Sequence, residues 1–234
     1  MSKESVSVEV ENQGVLSSKK GVNFPNTSLG IDVITPKDKI DMIWGVENDV
    51  DFMAISFVQD AQDMINARKI ITDNGGSVEL IAKIEKFDAV ENIDAILEAS
   101  DGLMVARGDL GIEVPFYQVP SLQKMLIRKA NEASKPIITA TQMLLSMTEQ
   151  ERATRAEISD IANAVLDGTD AVMLSEESAV GKNPVLAVET MVKTIQGAET
   201  IYPYDKYGKF EVNDATDSIN EAAVKLCKDV NAWG

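Results

Sequence analysis

Residues that could act on a phosphorylated substrate stand just after three apolar segments of this sequence. One segment ends with Lys83 and Glu85, the next with Arg107 and Asp109, and another with Thr141. Paired carboxylates are oxygen ligands suited to Mg²⁺ or Mn²⁺, and a lysine beside them would neutralise charge on a phosphoryl group in transfer. These residue types, in this order, indicate chemistry that uses a divalent metal ion and a phosphate.

The run Gly-Asp-Leu-Gly that begins at Gly108 is also suited to an anionic ligand. Glycine lets backbone N–H groups approach such a ligand closely, and the Thr141 hydroxyl could relay or position a proton. Simpler interpretations fit the same spacing. Lys83 and Glu85 could form a surface ion pair, and residues 107–109 a turn with its own salt bridge. Thr141 could merely satisfy backbone groups at a strand end, so spacing alone leaves both interpretations open.

A further apolar segment ends with Ser175, Glu176 and Glu177. Carboxylates at this place commonly cap the helix that follows or face water. We therefore interpret these two glutamates as capping or solvent-facing residues rather than as metal ligands.

The composition narrows the classes of partner and of chemistry. Lys and Arg number 22 against 38 Asp and Glu, which gives a net charge of −16 and disfavours nucleic acid and acidic membrane surfaces. The sequence has no histidine and a single cysteine, Cys227, so an internal disulfide is impossible and a reducing cytoplasm is expected. No apolar stretch approaches the roughly 20 residues of a transmembrane helix. Carboxylates, lysine, hydroxyls and a hard metal ion remain for catalysis.

The apolar segments alternate with segments of helical spacing. Nearly unbroken apolar runs predict buried strands at 50–58, 78–83, 102–106, 136–141 and 171–175. Helices are predicted at 61–73, 89–98, 122–133 and 154–166, and another begins at Pro184. The helix at 154–166 has the strongest signals, since Thr154 and Glu157 form a capping box and Gly168 provides a stop.

This alternation predicts a parallel sheet with right-handed crossovers. An open doubly wound sheet and a closed barrel both satisfy the pattern, but no G-x-G-x-x-G follows a strand, so the barrel is favoured. A closed (β/α)₈ barrel needs eight strands. The sequence therefore predicts an α/β fold, an incomplete (β/α)₈ TIM-type barrel of about five βα units.

Both ends of the chain differ from the βα pattern. Val6, Val8 and Val10 alternate with polar residues before a turn at Gly14, which predicts a short N-terminal β segment. Residues 217–233 form an amphipathic helix with no strand after it. We expect both ends to belong to something larger.

Several strings of this sequence, taken together, resemble the pyruvate kinase family. They are DFMAISFV, LIAKIE, GLMVARGDLGIE, KPIITATQML and GTDAVMLSEESAVGKNP, which match the family's fourth to eighth barrel strands in order. TRAEISDIANAV matches the helix between the last two strands, and KKGVNFP matches the point where the lid domain returns to the barrel. The ARGDLG and ATQML strings are the most specific of these.

The resemblance implies a role for each candidate residue. Lys83 matches the lysine that stabilises the phosphoryl group in transit, and Glu85 and Asp109 match the two carboxylates that bind the catalytic Mg²⁺ or Mn²⁺. Arg107, with residues 108 and 109, matches the loop that meets the carboxylate and phosphate of phosphoenolpyruvate.

The resemblance implies that Gly108 and Asp109 act in that loop through their backbone amides. Thr141 matches the threonine near the enolate carbon that becomes the methyl group of pyruvate. Lys83 and Thr141 are therefore the implied catalytic residues.

The resemblance also implies a domain organisation and marks what this chain lacks. Residues 1–18 correspond to a remnant of the lid domain, 19–203 to a partial TIM-type barrel, and 204–234 to the start of the C-terminal domain. The family's first three barrel strands have no counterpart here. In the family, those strands carry an arginine that binds the substrate and the asparagine, serine and aspartate that bind the expected K⁺, so these residues have no counterpart here either. Among smaller departures, Leu145 stands where a glutamate is common.

The implied reaction is the glycolytic transfer of a phosphoryl group from phosphoenolpyruvate to ADP, giving pyruvate and ATP. We expect it to be weak or absent in this chain alone, with a missing barrel half or a homo-oligomer as partner. One alternative is a lyase from the wider phosphoenolpyruvate/pyruvate barrel superfamily. Another is a non-catalytic partial barrel that needs a partner chain.

Overall fold

The computed structural model describes residues 8–15, 18, 22, 32–203 and 215–230. Within these ranges the chain forms one five-stranded sheet whose strand order, β1-β2-β3-β4-β5, follows the chain. The strands are β1 Phe52–Ile55, β2 Glu79–Ile84, β3 Gly102–Ala106, β4 Ile137–Ala140 and β5 Ala171–Met173. All four neighbouring pairs are parallel. The predicted α/β fold with five βα units is confirmed, and most of the strands are shorter than the apolar runs that predicted them.

Ten α-helices lie within the described residues. They are α1 Pro36–Glu47, α2 Ala61–Asp73, α3 Phe87–Glu91, α4 Ile93–Ala99, α5 Arg107–Glu113, α6 Val119–Glu132, α7 Arg155–Asp167, α8 Glu176–Ala179, α9 Pro184–Glu199 and α10 Ala215–Val230. Short 3₁₀ turns lie at Phe116–Gln118 and Leu145–Thr148. Taken in chain order, strands alternate with helices as in a (β/α)₈ barrel.

Local capping signals explain where several helices begin and end. Thr154 and Glu157 form the expected capping box at the start of α7, and Gly168 ends the helix with a left-handed φ of 99°. Helix α1 is not among the predicted helices, although Thr35 and Asp38 form a second capping box at its start. This signal was available in the sequence.

The helix predicted at 89–98 is in fact two helices that meet at Asn92. This residue ends α3 and precedes α4, with φ −97° and ψ 14°. Its side-chain amide donates a hydrogen bond of 3.1 Å to the Gln59 carbonyl in the loop after β1. A contact to a distant segment therefore competes with the helix, which the local pattern does not reveal.

The main hydrophobic core lies between the sheet and helices α2, α4 and α6. Strand β3 is buried along its whole length, as expected for the middle strand of a parallel sheet. A second cluster packs Met143, Leu144 and Met147 against helices α7 and α9. A third, small cluster of Ile81, Met104 and Ala140 joins three neighbouring strands. The segment after β4 is thus anchored by two fully buried side chains, Met143 and Leu144.

The ends of the chain are described only in part. Residues 8–15 contain no strand, and the rest of the predicted N-terminal β segment lies outside the described residues. The predicted helix at 217–233 is present as α10 up to Val230. Domain boundaries after residues 18 and 203 remain predictions. In the part of the chain that the structure describes, no helix combines the length and the apolar character needed to cross a membrane.

Candidate metal and phosphate site

The predicted site residues follow strands that end at one edge of the sheet. In the register of the parallel pairs, Ile84 lies opposite Val105 and Ala106 lies opposite Ala140. Glu85, Arg107 and Thr141 come directly after these paired residues. The fold therefore brings the segments that carry all six predicted residues to the carboxyl edge, where parallel α/β folds bind ligands.

Lys83 and Glu85 form an ion pair at this edge, in which the carboxylate is buried and the lysine is partly exposed. The Lys83 Nζ lies 2.8 Å from Glu85 Oε1, and the Glu85 side chain is 2% exposed. Lys83 also donates to the Ser56 hydroxyl at 2.9 Å, and the Phe57 N–H donates to Glu85 Oε2 at 2.7 Å. A surface ion pair is therefore excluded for these two residues. A buried pair adds little net stability, so its value lies in fixing two charges at a defined place.

The end of β1 contributes to this arrangement through an unusual backbone conformation. Phe57 has a positive φ of 57°, which is uncommon for a residue other than glycine. This conformation accompanies the N–H bond from Phe57 to the Glu85 carboxylate. Ser56 and Phe57 were not among the predicted site residues, because nothing in their types or spacing marks a contact with residues 83 and 85.

Asp109 lies in the first turn of α5, which directly follows β3, the strand next to β2. The side chain is partly buried, and the described residues provide no hydrogen bond or ion pair to its carboxylate. Its backbone N–H likewise has no acceptor within the described ranges. Helix α5 was not predicted, since two glycines within seven residues disfavour a helix.

Glu85 and Asp109 provide oxygen ligands of the kind that a hard divalent cation prefers, and their joint binding of one ion stays a prediction. Each Glu85 oxygen accepts one hydrogen bond and has a second lone pair, and the Asp109 carboxylate has no competing donor in the described part of the chain. No group of three or more His, Cys, Asp or Glu side chains suited to a metal occurs among the described residues. A cation held by these two carboxylates would take its remaining ligands from water or substrate, as Mg²⁺ often does.

Thr141 lies just after β4 in a strained turn. Thr141 and Gln142 have φ angles of 69° and 54°, and a positive φ in a β-branched residue is a clear outlier. The Thr141 hydroxyl donates to the Ala140 carbonyl at 2.6 Å and accepts from the Gly108 N–H at 2.8 Å. Strain of this kind is concentrated at functional sites in proteins.

Arg107 is buried, with 8% of its surface exposed. Its Nη1 donates to Asp160 Oδ1 at 2.8 Å and to Gln123 Oε1 at 3.2 Å. Its Nη2 donates to the Thr141 carbonyl at 2.9 Å, and Nε has no partner among the described residues. The guanidinium therefore joins the turn after β4 to helices α6 and α7. Direct contact between Arg107 and a substrate stays a prediction.

Glu176 and Glu177 differ sharply in their surroundings. Glu176 is exposed, as expected, whereas Glu177 is 1% exposed. The Glu177 oxygens accept hydrogen bonds from the Leu144 N–H at 3.0 Å and from the Ser175 N–H at 2.8 Å. The interpretation of Glu177 as solvent-facing is wrong, because its carboxylate is buried and binds Leu144 in the turn after β4. Its bond from the N–H of Ser175, the residue before α8, agrees with the capping interpretation.

A second carboxylate anchors the segment after β4 from helix α7. Glu157 accepts bonds from the Ser146 N–H at 2.7 Å and the Ser146 hydroxyl at 2.6 Å. Burial would raise the pKa of Glu157, but the hydrogen bonds from Ser146 and Thr154 outweigh it and lower the pKa below its ordinary value. Glu157 is therefore held in its ionised form.

Comparison with known proteins identifies the relatives of this chain. Residues 1–188 match the family model described as pyruvate kinase, barrel domain. The pyruvate kinase of Clostridium acetobutylicum is 52% identical over 199 residues, which cover 85% of this chain and 42% of the relative. The pyruvate kinase of Schizosaccharomyces pombe is 51% identical over 197 residues, which cover 84% of this chain and 39% of the relative.

A solved structure gives the same result for the fold. The crystal structure of a pyruvate kinase from Cryptosporidium parvum superposes with a TM-score of 0.86 at 41% identity, covering 90% of this chain and 45% of that one. The resemblance found in the sequence is confirmed. The chain spans about two-fifths of the length of the curated relatives it matches.

Proposed function

Because this chain belongs to the pyruvate kinase family, we propose that it carries the metal and phosphoryl-transfer half of a site that moves a phosphoryl group from phosphoenolpyruvate to ADP. The observation that carries this proposal is the Lys83–Glu85 pair, which fixes an ammonium and a carboxylate at the edge where Asp109 lies in the first turn of α5. Strand β2, which carries Lys83, pairs with β3, and β3 leads directly into α5.

Glu85 and Asp109 would hold Mg²⁺ or Mn²⁺, which when bound supplies positive charge to the oxygens of the substrate. Glu85 is fixed by the Phe57 N–H, so one ligand is preorganised before a cation arrives. Asp109 has greater freedom, since it has no partner among the described residues. The pair thus combines one fixed and one adaptable carboxylate.

Lys83 would stabilise the phosphoryl group during transfer. Its ammonium is only partly exposed, at 23% of the side chain, and is held by Ser56 and Glu85. A cation in such a site interacts with developing negative charge more strongly than it would in water. Binding of a divalent ion at Glu85 would weaken the hold of that carboxylate on Lys83 and leave the ammonium for the phosphate.

The N-terminal turn of α5 and Thr141 would contact the organic part of the substrate. The Asp109 N–H lacks an acceptor in the described ranges and is suited to a carboxylate or phosphate oxygen. The Gly108 N–H donates to the Thr141 hydroxyl, so the start of α5 and the turn after β4 are held next to each other. The Thr141 hydroxyl would then position the proton that reaches the enolate carbon, and Arg107 would meet the substrate or hold this turn.

The remaining parts of the barrel belong to the same proposal. Strands β1 and β5 end the sheet, and Phe52 on β1 is 55% exposed beside a groove of about 840 Å³ that also includes Trp44. An apolar sheet edge of this kind favours a partner segment. We propose that full turnover, the K⁺ requirement and assembly depend on the remaining barrel, within a longer cytoplasmic protein or from a second chain.

Mn²⁺ binding provides the direct test, because it requires no turnover. We expect Glu85→Gln and Asp109→Asn each to weaken Mn²⁺ binding, measured by electron paramagnetic resonance, by at least about tenfold, since even outer-shell partners of metal ligands are typically worth that much. Glu176→Gln removes an exposed carboxylate and should leave the affinity unchanged. Equal affinity in all four proteins would contradict the proposed metal site.

Activity measurements separate the alternatives. Pyruvate release from phosphoenolpyruvate is measured with and without ADP, for this chain alone and after addition of a polypeptide that supplies the remaining barrel. Our proposal expects ADP-dependent release that rises strongly on addition. Release that does not need ADP would indicate a lyase, and metal binding with no release under either condition would indicate a non-catalytic partial barrel.

A further inference from the structure

The turn at residues 141–144 is held by a buried cation on one side and a buried anion on the other. Arg107 donates to the carbonyls of Thr141 and Gln142, at 2.9 and 3.4 Å. Glu177 accepts from the Leu144 N–H at 3.0 Å. Since Thr141 and Gln142 both have positive φ angles, this turn would relax without such restraint.

Glu177 is an unusual choice for a purely structural role. Its carboxylate is 1% exposed and no lysine or arginine among the described residues pairs with it. Taking a carboxylate out of water is expensive, and well-packed apolar residues usually stabilise such a position as well or better. Its two backbone bonds instead fix the distance between the turn after β4 and Ser175 at the end of β5.

We propose that Glu177 is a positioning residue for Thr141. The path is short: Glu177 holds Leu144, two residues of a tight turn connect Leu144 to Thr141, and the Thr141 hydroxyl accepts from the Gly108 N–H. Met143 and Leu144 are fully buried, so the turn cannot adjust freely between its two anchors. The inference rests on the proposed function in one respect, namely that Thr141 acts on the substrate.

The test compares Glu177→Gln with Glu176→Gln, an exposed neighbour whose change adds the same amide. The amide of Glu177→Gln places an N–H group opposite one of the two backbone donors and leaves that donor without an acceptor. Loss of such a bond shifts the local opening equilibrium by about 5- to 100-fold. We expect amide hydrogen exchange to accelerate by about this factor at Leu144 or Ser175 and, through the turn, at Gly108.

The Gly108 amide distinguishes positioning from simple structural support. Acceleration at Leu144 with Gly108 unchanged would overturn the proposal, as would equal exchange in Glu177→Gln and Glu176→Gln. Amides of β2 and β3 should keep their rates and thereby show that the fold is intact. If Glu177→Gln does not fold, or if only Ser175 exchanges faster in it, Glu177→Asp is used. Its shorter side chain keeps the charge, and we expect it to hold Ser175 while Leu144 and Gly108 exchange faster.

A kinetic measurement adds the catalytic consequence where the completed barrel turns over. We expect Glu177→Gln to lower kcat at least about tenfold with a smaller change in KM for phosphoenolpyruvate, because Thr141 is displaced while Lys83, Glu85 and Asp109 keep their places. A higher KM with kcat unchanged would overturn a positioning role. Failure of the proposed function would instead leave the completed barrel without turnover even with the unchanged chain, whereas the exchange experiment would still decide the role of Glu177.

Discussion

Replacing Arg107 by methionine should destabilise the fold markedly. The change removes the guanidinium that binds Asp160, Gln123 and the Thr141 carbonyl, at 2.8, 3.2 and 2.9 Å. Hydrogen bonds from a charged donor contribute about 1.5–3 kcal/mol each. Methionine recovers part of this by filling the space, and the Asp160 side chain is 38% exposed and can be hydrated. We therefore expect a loss of about 2–4 kcal/mol in the free energy of unfolding.

Urea unfolding followed by circular dichroism measures this loss. Asp160→Asn keeps an oxygen acceptor but removes the charge, and should cost about 1 kcal/mol, because charge-assisted bonds are roughly twice as strong as neutral ones. In a double-mutant cycle the two changes should couple by about 1 kcal/mol. Arg128→Met is the matched control, since Arg128 is 68% exposed and its contact to Glu132 is 3.7 Å long.

The control should change stability by less than about 0.5 kcal/mol. An Arg107→Met protein within that same margin of the parent, with no coupling to position 160, would refute the reasoning. It would mean that the turn after β4 does not depend on the guanidinium.

Three further predictions concern stability. Burial alone would raise the pKa of Asp101, but bonds from the Arg68 guanidinium and a backbone N–H outweigh it and lower the pKa. The pKa of Glu157 is lowered as well. Both carboxylates therefore stabilise the fold fully above about pH 4–5, and progressively less as the pH falls through their folded-state pKa values. Acid titration of the parent and Glu157→Gln should show a shallower loss in the variant; identical slopes would contradict this. Gly102→Ala should lower the free energy of unfolding by about 1–3 kcal/mol, because a Cβ there would lie 2.8 Å from a backbone carbonyl. Gly197→Ala should raise it by about 0.5–1 kcal/mol, because a Cβ at that helical position would have nothing within 4 Å. If both changes have the same sign in calorimetry, packing does not explain them. Lys135→Met should cost about 1–3 kcal/mol in urea unfolding, since the ammonium donates to carbonyls at the end of α4 at 2.6 Å; an unchanged midpoint would show that water replaces it.

The sheet and the position of the candidate site follow from local patterns that the sequence displays openly. Buried parallel strands are read from continuous apolar runs, and their carboxyl ends must share an edge, so residues 83–85 and 107–109 could be assigned to one side of the sheet. Helix α7 was equally accessible, because its capping box and its terminal glycine are local signals.

The long-range contacts of individual side chains could not be predicted from such local patterns. Arg107 binds partners 16 to 53 residues away, and Glu177 binds an amide 33 residues away. Such contacts depend on the packing of helices α6 and α7 and of the turn after β4. The left-handed conformations of Phe57 and Thr141 are likewise imposed by the surroundings, against the preference of both residue types.

The order of the sheet has a consequence for how this chain is made. Among the described residues, each strand after β1 pairs with the one before it in the sequence, and no later strand is inserted between earlier ones. A βα unit that leaves the ribosome can therefore dock at once on the unit already formed, without waiting for distant residues. Growth by addition at one edge suits translation from the N-terminus, because only the newest strand receives the next unit while the β1 edge stays as it was formed.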